Sequence, residues 1–307
     1  MHYFIFIIAL IGLLVAASFF TSSAETIGKY IGLPTFVIGV FIVGIGTSLP
    51  ELISGIISVK KETSEILAGN IIGANISNIL LITGLAVVLN KRNISLTSGY
   101  MYIDLHYLIG GFFFFYIIAY DGKIGVLEAF FGLVMFLFYS IYLIKVETNT
   151  GPIEVKKSKS FPLMALGILL LSTIGIYFGA DYTISSLEKI AIDLSVPKSI
   201  IALTLLSLGT TLPELAVNIS AIKQGKAEMA IGNVLGSCIF NTLVIPSVAS
   251  FFGTIYVTEN LLQFSLPVMA ACGLLFYLLT QDKKISIWEG LMFICLYGLF
   301  VVKTVTG

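Results

Sequence analysis

Two short segments each place a glutamate directly after a proline inside a strongly apolar run. Residues 46–51 read Gly-Thr-Ser-Leu-Pro-Glu, and residues 209–214, 163 positions later, read Gly-Thr-Thr-Leu-Pro-Glu. Apolar runs of about 20 residues are typical of membrane-spanning helices. A carboxylate at the centre of a bilayer costs about 3 kcal/mol or more, so Glu51 and Glu214 are candidate functional residues. Their equivalent positions in a repeated segment predict one shared site.

The residues around the two glutamates form a set of oxygen ligands. Pro50 and Pro213 lack the N–H group that would bond the carbonyl four residues earlier, and backbone oxygens are therefore released at membrane depth. The hydroxyls of Thr47, Ser48, Thr210 and Thr211 add further oxygens. Oxygen-only sites with carboxylates suit hard cations such as Ca²⁺. The lack of adjacent His or Cys argues against zinc or copper.

A structural alternative is a helix kink whose glutamate pairs with a basic group on another helix. All seventeen Lys and Arg residues lie in predicted loops or at helix ends, so none is expected at the bilayer centre. The cation-ligand interpretation is therefore favoured. A second element follows in each half, Gly69-Asn70 through Asn78 and Gly232-Asn233 through Asn241. Its glycines suit close helix packing, and Asn78, Ser237 and Asn241 are expected to line the site.

Composition indicates an all-α polytopic membrane protein. The chain is 57% hydrophobic and 11% charged, with a mean hydropathy of +1.03, far from the average of soluble domains. The apolar runs lack the alternation that a barrel strand needs. Ten stretches are long enough to span a bilayer as helices. They lie near residues 2–20, 33–59, 64–89, 98–119, 124–145, 161–180, 197–222, 227–253, 258–280 and 285–304.

The whole chain reads as one unit written twice. Beyond the two motifs, an offset of 161 near the ends relates residues 121–124 to 282–285. We predict a first five-helix repeat at 1–145, a cytoplasmic linker at 146–160 and a second repeat at 161–307. Five is an odd number, so the second repeat enters the membrane inverted relative to the first. Inverted repeats with a midplane site are the architecture of many secondary transporters.

Loop charges predict the orientation. Eleven of the seventeen Lys and Arg residues fall in connections after odd-numbered helices. Since basic residues favour cytoplasmic loops, we expect a multi-pass protein of the cell membrane with both termini outside.

Three further interpretations follow from single residues. Glu128 and Glu289 begin helices and should cap them. Asp104 and His106, which have no repeat counterparts, should make an interhelical bond or line a watery crevice rather than transport ions. The three cysteines, which lack metal-like spacing, should serve packing.

The motifs resemble those of the sodium/calcium exchangers of the cation/calcium antiporter superfamily. That family carries two α-repeats, each with a Gly-Thr-Ser-x-Pro-Glu element followed by Gly-Asn-x-x-Gly-Ser-x-x-x-Asn/Asp. Here the elements read GTSLPE with GNIIGANISN and GTTLPE with GNVLGSCIFN. The resemblance covers the full chain. It implies an antiporter that exchanges Ca²⁺ for Na⁺ by alternating access, without ATP.

The resemblance also implies roles for particular residues. Calcium would lie between Glu51 and Glu214 with the backbone carbonyls of Thr47 and Thr210. Sodium positions would use the motif hydroxyls and the second-element polar residues. These are Thr47, Ser48, Asn78, Thr210, Thr211, Ser237 and Asn241.

Two departures from the family pattern bear on sodium. Ala74 stands where the family places a serine, and Asn241 stands where many microbial members carry Asp. A proton-coupled antiporter, or one for another divalent cation, is therefore the alternative. A channel, which should show symmetric pore-lining rings and current without exchange, is less well supported. An intramembrane enzyme is also less well supported, because the sequence shows no nucleophile and base at membrane depth. The transported ions and the bilayer are the expected partners, and no cofactor, nucleic acid or obligate protein partner is indicated.

Overall fold

The computed structural model describes residues 2–91, 93–95, 101–149, 160–193 and 198–306. Within these ranges the side chains at 101–102, 144–149, 188, 191, 198–210 and 305–306 are not described. The described part contains ten long helical segments. They are α1 (His2–Tyr30), α2 (Thr35–Lys60), α3 (Ser64–Asn90), α4 (Met101–Ala119), α5 (Val126–Asn149), α6 (Leu163–Asp193), α7 (Lys198–Lys223), α8 (Ala227–Ser250), α9 (Leu261–Leu279) and α10 (Ile287–Thr306).

The all-α polytopic membrane fold expected from the sequence is confirmed. Eight of the helices, all except α4 and α7, are long and apolar enough to span a bilayer over their described residues. The predicted linker 146–160 begins inside α5, which continues to Asn149, and residues 150–159 lie outside the described part. The division into repeats at 1–145 and 161–307 remains a prediction.

Helices α1 and α6 extend well beyond the apolar stretches predicted at 2–20 and 161–180. Helix α1 has 29 residues and α6 has 31, which at 1.5 Å per residue is about 45 Å. In α1 the added turns are stabilised by Thr26, whose Oγ1 donates to the Ser22 carbonyl at 2.9 Å, and by the Glu25–Lys29 ion pair at 2.7 Å. Hydropathy thus located the spans but not the helix ends.

Helices α3 and α8 form the centre of the molecule. Helix α8 is buried along its membrane-spanning length and α3 along most of it. Helices α1, α5, α6 and α10 instead expose large apolar side chains such as Phe4, Leu127, Leu171 and Leu299. The second sequence elements therefore lie on the two central helices, while the outer helices present apolar surface suited to lipid.

Widened π-helical turns interrupt α2 and α3 beside the first motif and the second element of the first half. One covers Gly39–Gly44 in α2, just before the first motif, and another covers Asn78–Ile82 in α3. The hydroxyl of Thr83 donates to the Asn78 carbonyl, five residues back, at 3.1 Å. Pro50 lies within α2 and Pro213 within α7. Such turns release backbone groups from the regular helical pattern and are frequent at functional sites.

Glycines allow α2 and α8 to cross in backbone contact. A Cβ at Gly232 would lie 2.3 Å from the Phe36 carbonyl oxygen, and one at Gly236 would lie 2.4 Å from that of Val40. The packing role expected for these two glycines is therefore confirmed. Their first-half counterparts differ, because a Cβ at Gly69 meets only Leu261 at 3.8 Å and one at Gly73 meets nothing described within 4 Å.

Each half contributes two short strands, and each strand pairs with a strand of the other half. They are β1 (Ile94–Ser95), β2 (Lys123–Ile124), β3 (Ile255–Tyr256) and β4 (Lys284–Ile285). Ile94 pairs with Ile285, and Ile124 pairs with Ile255, both antiparallel. The offset of 161 relates Ile94 to Ile255 and Ile124 to Ile285. A two-fold relation between the halves predicts this pairing, and the inversion of one repeat relative to the other stays a prediction.

The single-residue interpretations on helix ends and on Asp104 are confirmed. Glu128 Oε2 accepts from the Gly125 N–H at 2.9 Å, and Glu289 Oε2 accepts from the Ser286 N–H at 2.5 Å. Asp104 is buried at the start of α4 and accepts a hydrogen bond from the Tyr139 hydroxyl of α5.

Candidate cation site

The two motif glutamates lie together in the interior of the molecule. Glu51 on α2 is 5% exposed and Glu214 on α7 is 3% exposed. Each follows a proline within its helix. The Glu214 carboxylate lies near the Thr47 side chain and close enough to Glu51 for the two carboxylates to interact electrostatically. The glutamates of the two halves are thus close to each other, as expected for the shared site that the repeated motif predicts.

No basic side chain neutralises this pair within the described ranges. The fully buried acidic residues there are Glu51, Asp104 and Glu214, and no buried Lys or Arg accompanies them. The two ion pairs that the structure describes, Lys29–Glu25 and Lys226–Glu25, involve partly exposed side chains. The structural alternative of a kink with an internal basic partner therefore finds no support among the described side chains.

Buried oxygen atoms without a hydrogen-bond donor occur on the same four helices as the motif residues, α2, α3, α7 and α8. Leaving a buried acceptor unsatisfied costs about 1–3 kcal/mol, and native proteins contain few such groups. Such a set of acceptors is chemically suited to a cation, since a cation bonds several acceptors at once. On these helices the atoms are Ser48 Oγ, Glu51 Oε2, Asn75 Oδ1, Asn78 Oδ1, Glu214 Oε2, Asn218 Oδ1 and Asn241 Oδ1. Asp104 Oδ2 on α4 is a further acceptor without a donor, and Asn233 Nδ2 on α8 is a buried donor without a described acceptor.

Hydrogen bonds between the halves hold the site together. Thr47 Oγ1 lies 3.3 Å from Asn233 Oδ1, which joins α2 to α8. The Gly44 carbonyl accepts from Thr47 Oγ1 at 3.3 Å and from Ser237 Oγ at 3.2 Å. This carbonyl belongs to the π-helical turn of α2. The first motif of one half is therefore fastened to the second element of the other.

Most of the predicted site residues are buried on four helices around the glutamates. Thr47 and Ser48 lie on α2, Asn78 on α3, and Ser237 and Asn241 on α8. Thr211 is buried on α7, three residues before Glu214. The side chain of Thr210 falls outside the described residues.

Sequence reasoning missed Asn75, Asn218 and the position of Cys238. Asn218 lies four residues after Glu214, on the same face of α7, and its spacing could have revealed it. Asn75 follows Ala74 inside the second element. A comparison of the two repeats does not identify it, because its counterpart in the second half is Cys238 and not a second amide. The Cys238 thiol lies beside the Asn78 amide and near Glu214, so this residue forms a wall of the site besides serving packing.

Comparison with known proteins decides the family. The profile described as "Sodium/calcium exchanger protein" matches residues 1–145 and 164–305. The chain belongs to the sodium/calcium exchanger family. Members of this family are transporters, so the chain is a membrane transporter rather than an enzyme.

Relatives of the exchanger match over nearly its full length. The chain is 30% identical to the sodium/calcium exchanger MaX1 of Methanosarcina acetivorans, covering 98% of this chain and 97% of MaX1. It is 32% identical to an uncharacterized membrane protein of Methanocaldococcus jannaschii, with the same coverage.

A solved structure of the sodium-calcium exchanger NCX_Mj, soaked with Na⁺ and Sr²⁺, superimposes with a TM-score of 0.83 at 28% identity. The superposition covers 98% of each chain. The ten-helix arrangement described above is therefore that of an exchanger throughout.

Proposed function

We propose that this exchanger carries Ca²⁺ and Na⁺ in opposite directions across the cell membrane by alternating access at the Glu51–Glu214 site. The observation that carries the proposal is a pair of buried carboxylates, without a described basic partner, amid acceptor oxygens that lack donors. Bound cations would neutralise the charge of the two carboxylates and would be coordinated by the acceptor oxygens. The names of MaX1 and NCX_Mj support sodium and calcium as those cations.

Calcium is proposed to lie between the two glutamates. Ca²⁺ takes six to eight oxygen ligands, from carboxylates, carbonyls and amides. Two carboxylates neutralise its charge completely, and the Thr47 and Thr210 carbonyls would complete the position. A buried divalent ion would otherwise be prohibitively costly to dehydrate.

Sodium is proposed to use the hydroxyl and amide oxygens on either side, from Thr47, Ser48, Asn78, Thr210, Thr211, Ser237 and Asn241. Two carboxylates neutralise two Na⁺, and a third Na⁺ would lack a carboxylate because Asn241 is neutral. Ala74 adds no oxygen on the first-half side. Sodium binding at this site therefore depends more on neutral ligands than sodium binding at a site with a third carboxylate would.

The unequal packing of the two halves supports alternating access. Gly232, Asn233 and Gly236 of α8 are fully buried against α2, whereas Gly69 and Gly73 of α3 are half-buried. Equivalent elements thus occupy a closed and a more open environment in one structure. Exchange of these environments between the halves would move access from one side of the membrane to the other. In this proposal the linker 146–160 is cytoplasmic and both termini lie outside.

Flux into proteoliposomes tests the proposal. Vesicles containing the purified exchanger are loaded with Na⁺ and diluted into Na⁺-free buffer with labelled Ca²⁺, and parallel samples carry only a pH gradient or only a K⁺ gradient. We expect Ca²⁺ uptake with the Na⁺ gradient alone. Ca²⁺ uptake that is driven by the pH gradient and does not depend on Na⁺ would establish the proton-coupled alternative. Asn241 and Ala74, which replace sodium ligands of the family pattern, are the reason for testing it. Transport of another divalent ion in place of Ca²⁺ would also overturn the proposal.

A further inference from the structure

The side chain of Asn75 has a free oxygen where the first half lacks a hydroxyl. Asn75 lies on α3 next to Ala74 and is 0% exposed. Its Nδ2 donates to the Ile71 carbonyl at 2.8 Å, while its Oδ1 receives no donor from any residue that the structure describes. The amide is therefore held by its nitrogen with its oxygen available to a ligand. The resemblance to the exchanger family assigns this residue no role.

The repeat relation indicates what this oxygen faces. The offset of 163 relates Asn75 to Cys238, whose thiol lies beside Asn78 and near Glu214. The same offset relates Asn78 to Asn241 and Glu214 to Glu51. The strands of the two halves pair reciprocally. We therefore expect Asn75 to face Asn241 and Glu51, as Cys238 faces the repeat counterparts Asn78 and Glu214.

The three groups that the repeat relation would bring together each carry an acceptor oxygen without a donor. Asn75 Oδ1, Asn241 Oδ1 and Glu51 Oε2 each lack a hydrogen-bond partner among described atoms. Acceptors cannot bond one another, and keeping them buried is unfavourable unless a donor or a cation joins them. A soft thiol in the equivalent place, as at Cys238, would be a poor ligand for a hard cation. The two halves therefore differ in the oxygens they offer.

We propose that Asn75 Oδ1 is a Na⁺ ligand in the first half of the site and supplies the oxygen that Ala74 does not. The inference rests on the proposed exchange function. The amide is neutral, so it adds an oxygen without adding charge. Its contribution falls mainly on Na⁺, because Ca²⁺ binding is governed by the two carboxylates. Asn75 thus sets how strongly sodium competes for the site.

Exchanging the two repeat counterparts tests the inference. Asn75→Cys removes the oxygen and introduces the residue that the chain already buries at the equivalent position. In the proteoliposome assay we expect the Na⁺ concentration for half-maximal exchange to rise about two- to tenfold, the range for one lost neutral ligand. The Ca²⁺ concentration for half-maximal uptake should change by less than about twofold. Asn93→Cys, at an exposed loop position, is the matched control and should change neither value.

A second substitution separates ligation from packing. Ala74→Ser in the Asn75→Cys background restores an oxygen and should return the Na⁺ dependence toward that of the unmodified chain. A purely structural role for Asn75 would not respond to this rescue. Thermal unfolding with increasing Na⁺, in detergent, should show the same weakening and the same recovery without any transport. If Asn75→Cys does not fold, Asn75→Ala, which also removes the oxygen, carries the same test.

The outcomes distinguish the two proposals. An unmodified chain that exchanges Na⁺ for Ca²⁺, together with an unchanged Na⁺ dependence in Asn75→Cys, would overturn the Asn75 assignment and leave the exchange function intact. A rise in the Na⁺ requirement that Ala74→Ser fails to reduce would also overturn it. Absence of Na⁺-driven Ca²⁺ flux in the unmodified chain would instead overturn the exchange function itself.

Discussion

Replacing Glu214 or Glu51 with glutamine removes one negative charge from the site and preserves the shape of the side chain. Both carboxylates are buried with one oxygen that no described donor contacts. Removing one partner from a buried charge pair costs about 3–5 kcal/mol. The dissociation constant for Ca²⁺ should therefore rise roughly 150- to 5,000-fold. Coulomb energy is proportional to charge, so the free-energy loss for Na⁺ should be about half as large, a rise of roughly ten- to seventyfold.

Unfolding measurements separate this effect from misfolding. Without ions the substitution removes repulsion between two buried carboxylates, and the ion-free melting temperature should not fall. At a Ca²⁺ concentration 100 times its dissociation constant, the unmodified chain should gain about 2.7 kcal/mol of stability. A variant weakened 100-fold or more should gain about 0.4 kcal/mol or less at that concentration.

An exposed glutamate on α3 provides the matched control. Glu65→Gln changes an exposed glutamate in the first turn of α3, and it should preserve both the Ca²⁺-induced shift and Ca²⁺ flux. The shared-site reasoning is refuted if Glu51→Gln or Glu214→Gln folds normally and keeps the Ca²⁺-induced shift of the unmodified chain. Loss of the shift in one variant only would show that the two halves do not share the calcium position.

Three other predictions follow from the packing, the topology and the charge of the site. Gly236→Ala places a Cβ 2.4 Å from a backbone oxygen and should cost about 1–3 kcal/mol of stability. Gly73→Ala, which meets no described atom within 4 Å, should cost less than about 0.5 kcal/mol in the same denaturation assay. In a background without native cysteines, an impermeant thiol reagent should label Glu62→Cys from outside and Asn93→Cys from inside, and the reverse pattern would invert the topology. Asn241→Asp adds a third carboxylate and should lower the Na⁺ concentration for half-maximal exchange several-fold, whereas an unchanged value would place Asn241 away from sodium.

The arrangement of helices was predictable because two independent signals agree. Apolar length located the spans, so that predicted stretches such as 33–59 and 64–89 match Thr35–Lys60 and Ser64–Asn90 within a few residues. The repeated motif then identified Glu51 and Glu214 as partners before any contact was known. A buried charge is costly enough in a membrane that its presence alone carries information about function.

Helix ends and asymmetric ligands were less predictable, for physical reasons. The ends of α1 and α6 lie beyond the apolar stretches, where Ser, Thr and charged residues support a helix through local bonds that hydropathy does not record. Asn75 and Asn218 have no polar counterpart in the other half, since Cys238 and Gly55 occupy the equivalent positions. A search for repeated residues passes over such side chains. Only the unsatisfied buried oxygens of the folded chain point to them.

The repeat itself cannot predict that its two copies differ in packing. Gly69 and Gly73 occupy the same sequence positions as Gly232 and Gly236, yet only the second pair is pressed against backbone oxygens, those of Phe36 and Val40. One motif must therefore be compatible with both a closed and a more open environment, and glycine is compatible with both because it has no side chain to bury or to expose. This compatibility is a requirement of any exchanger whose halves trade conformations. The equivalent glycines of α3, Gly69 and Gly73, would allow α3 to close in the same way in the alternate state.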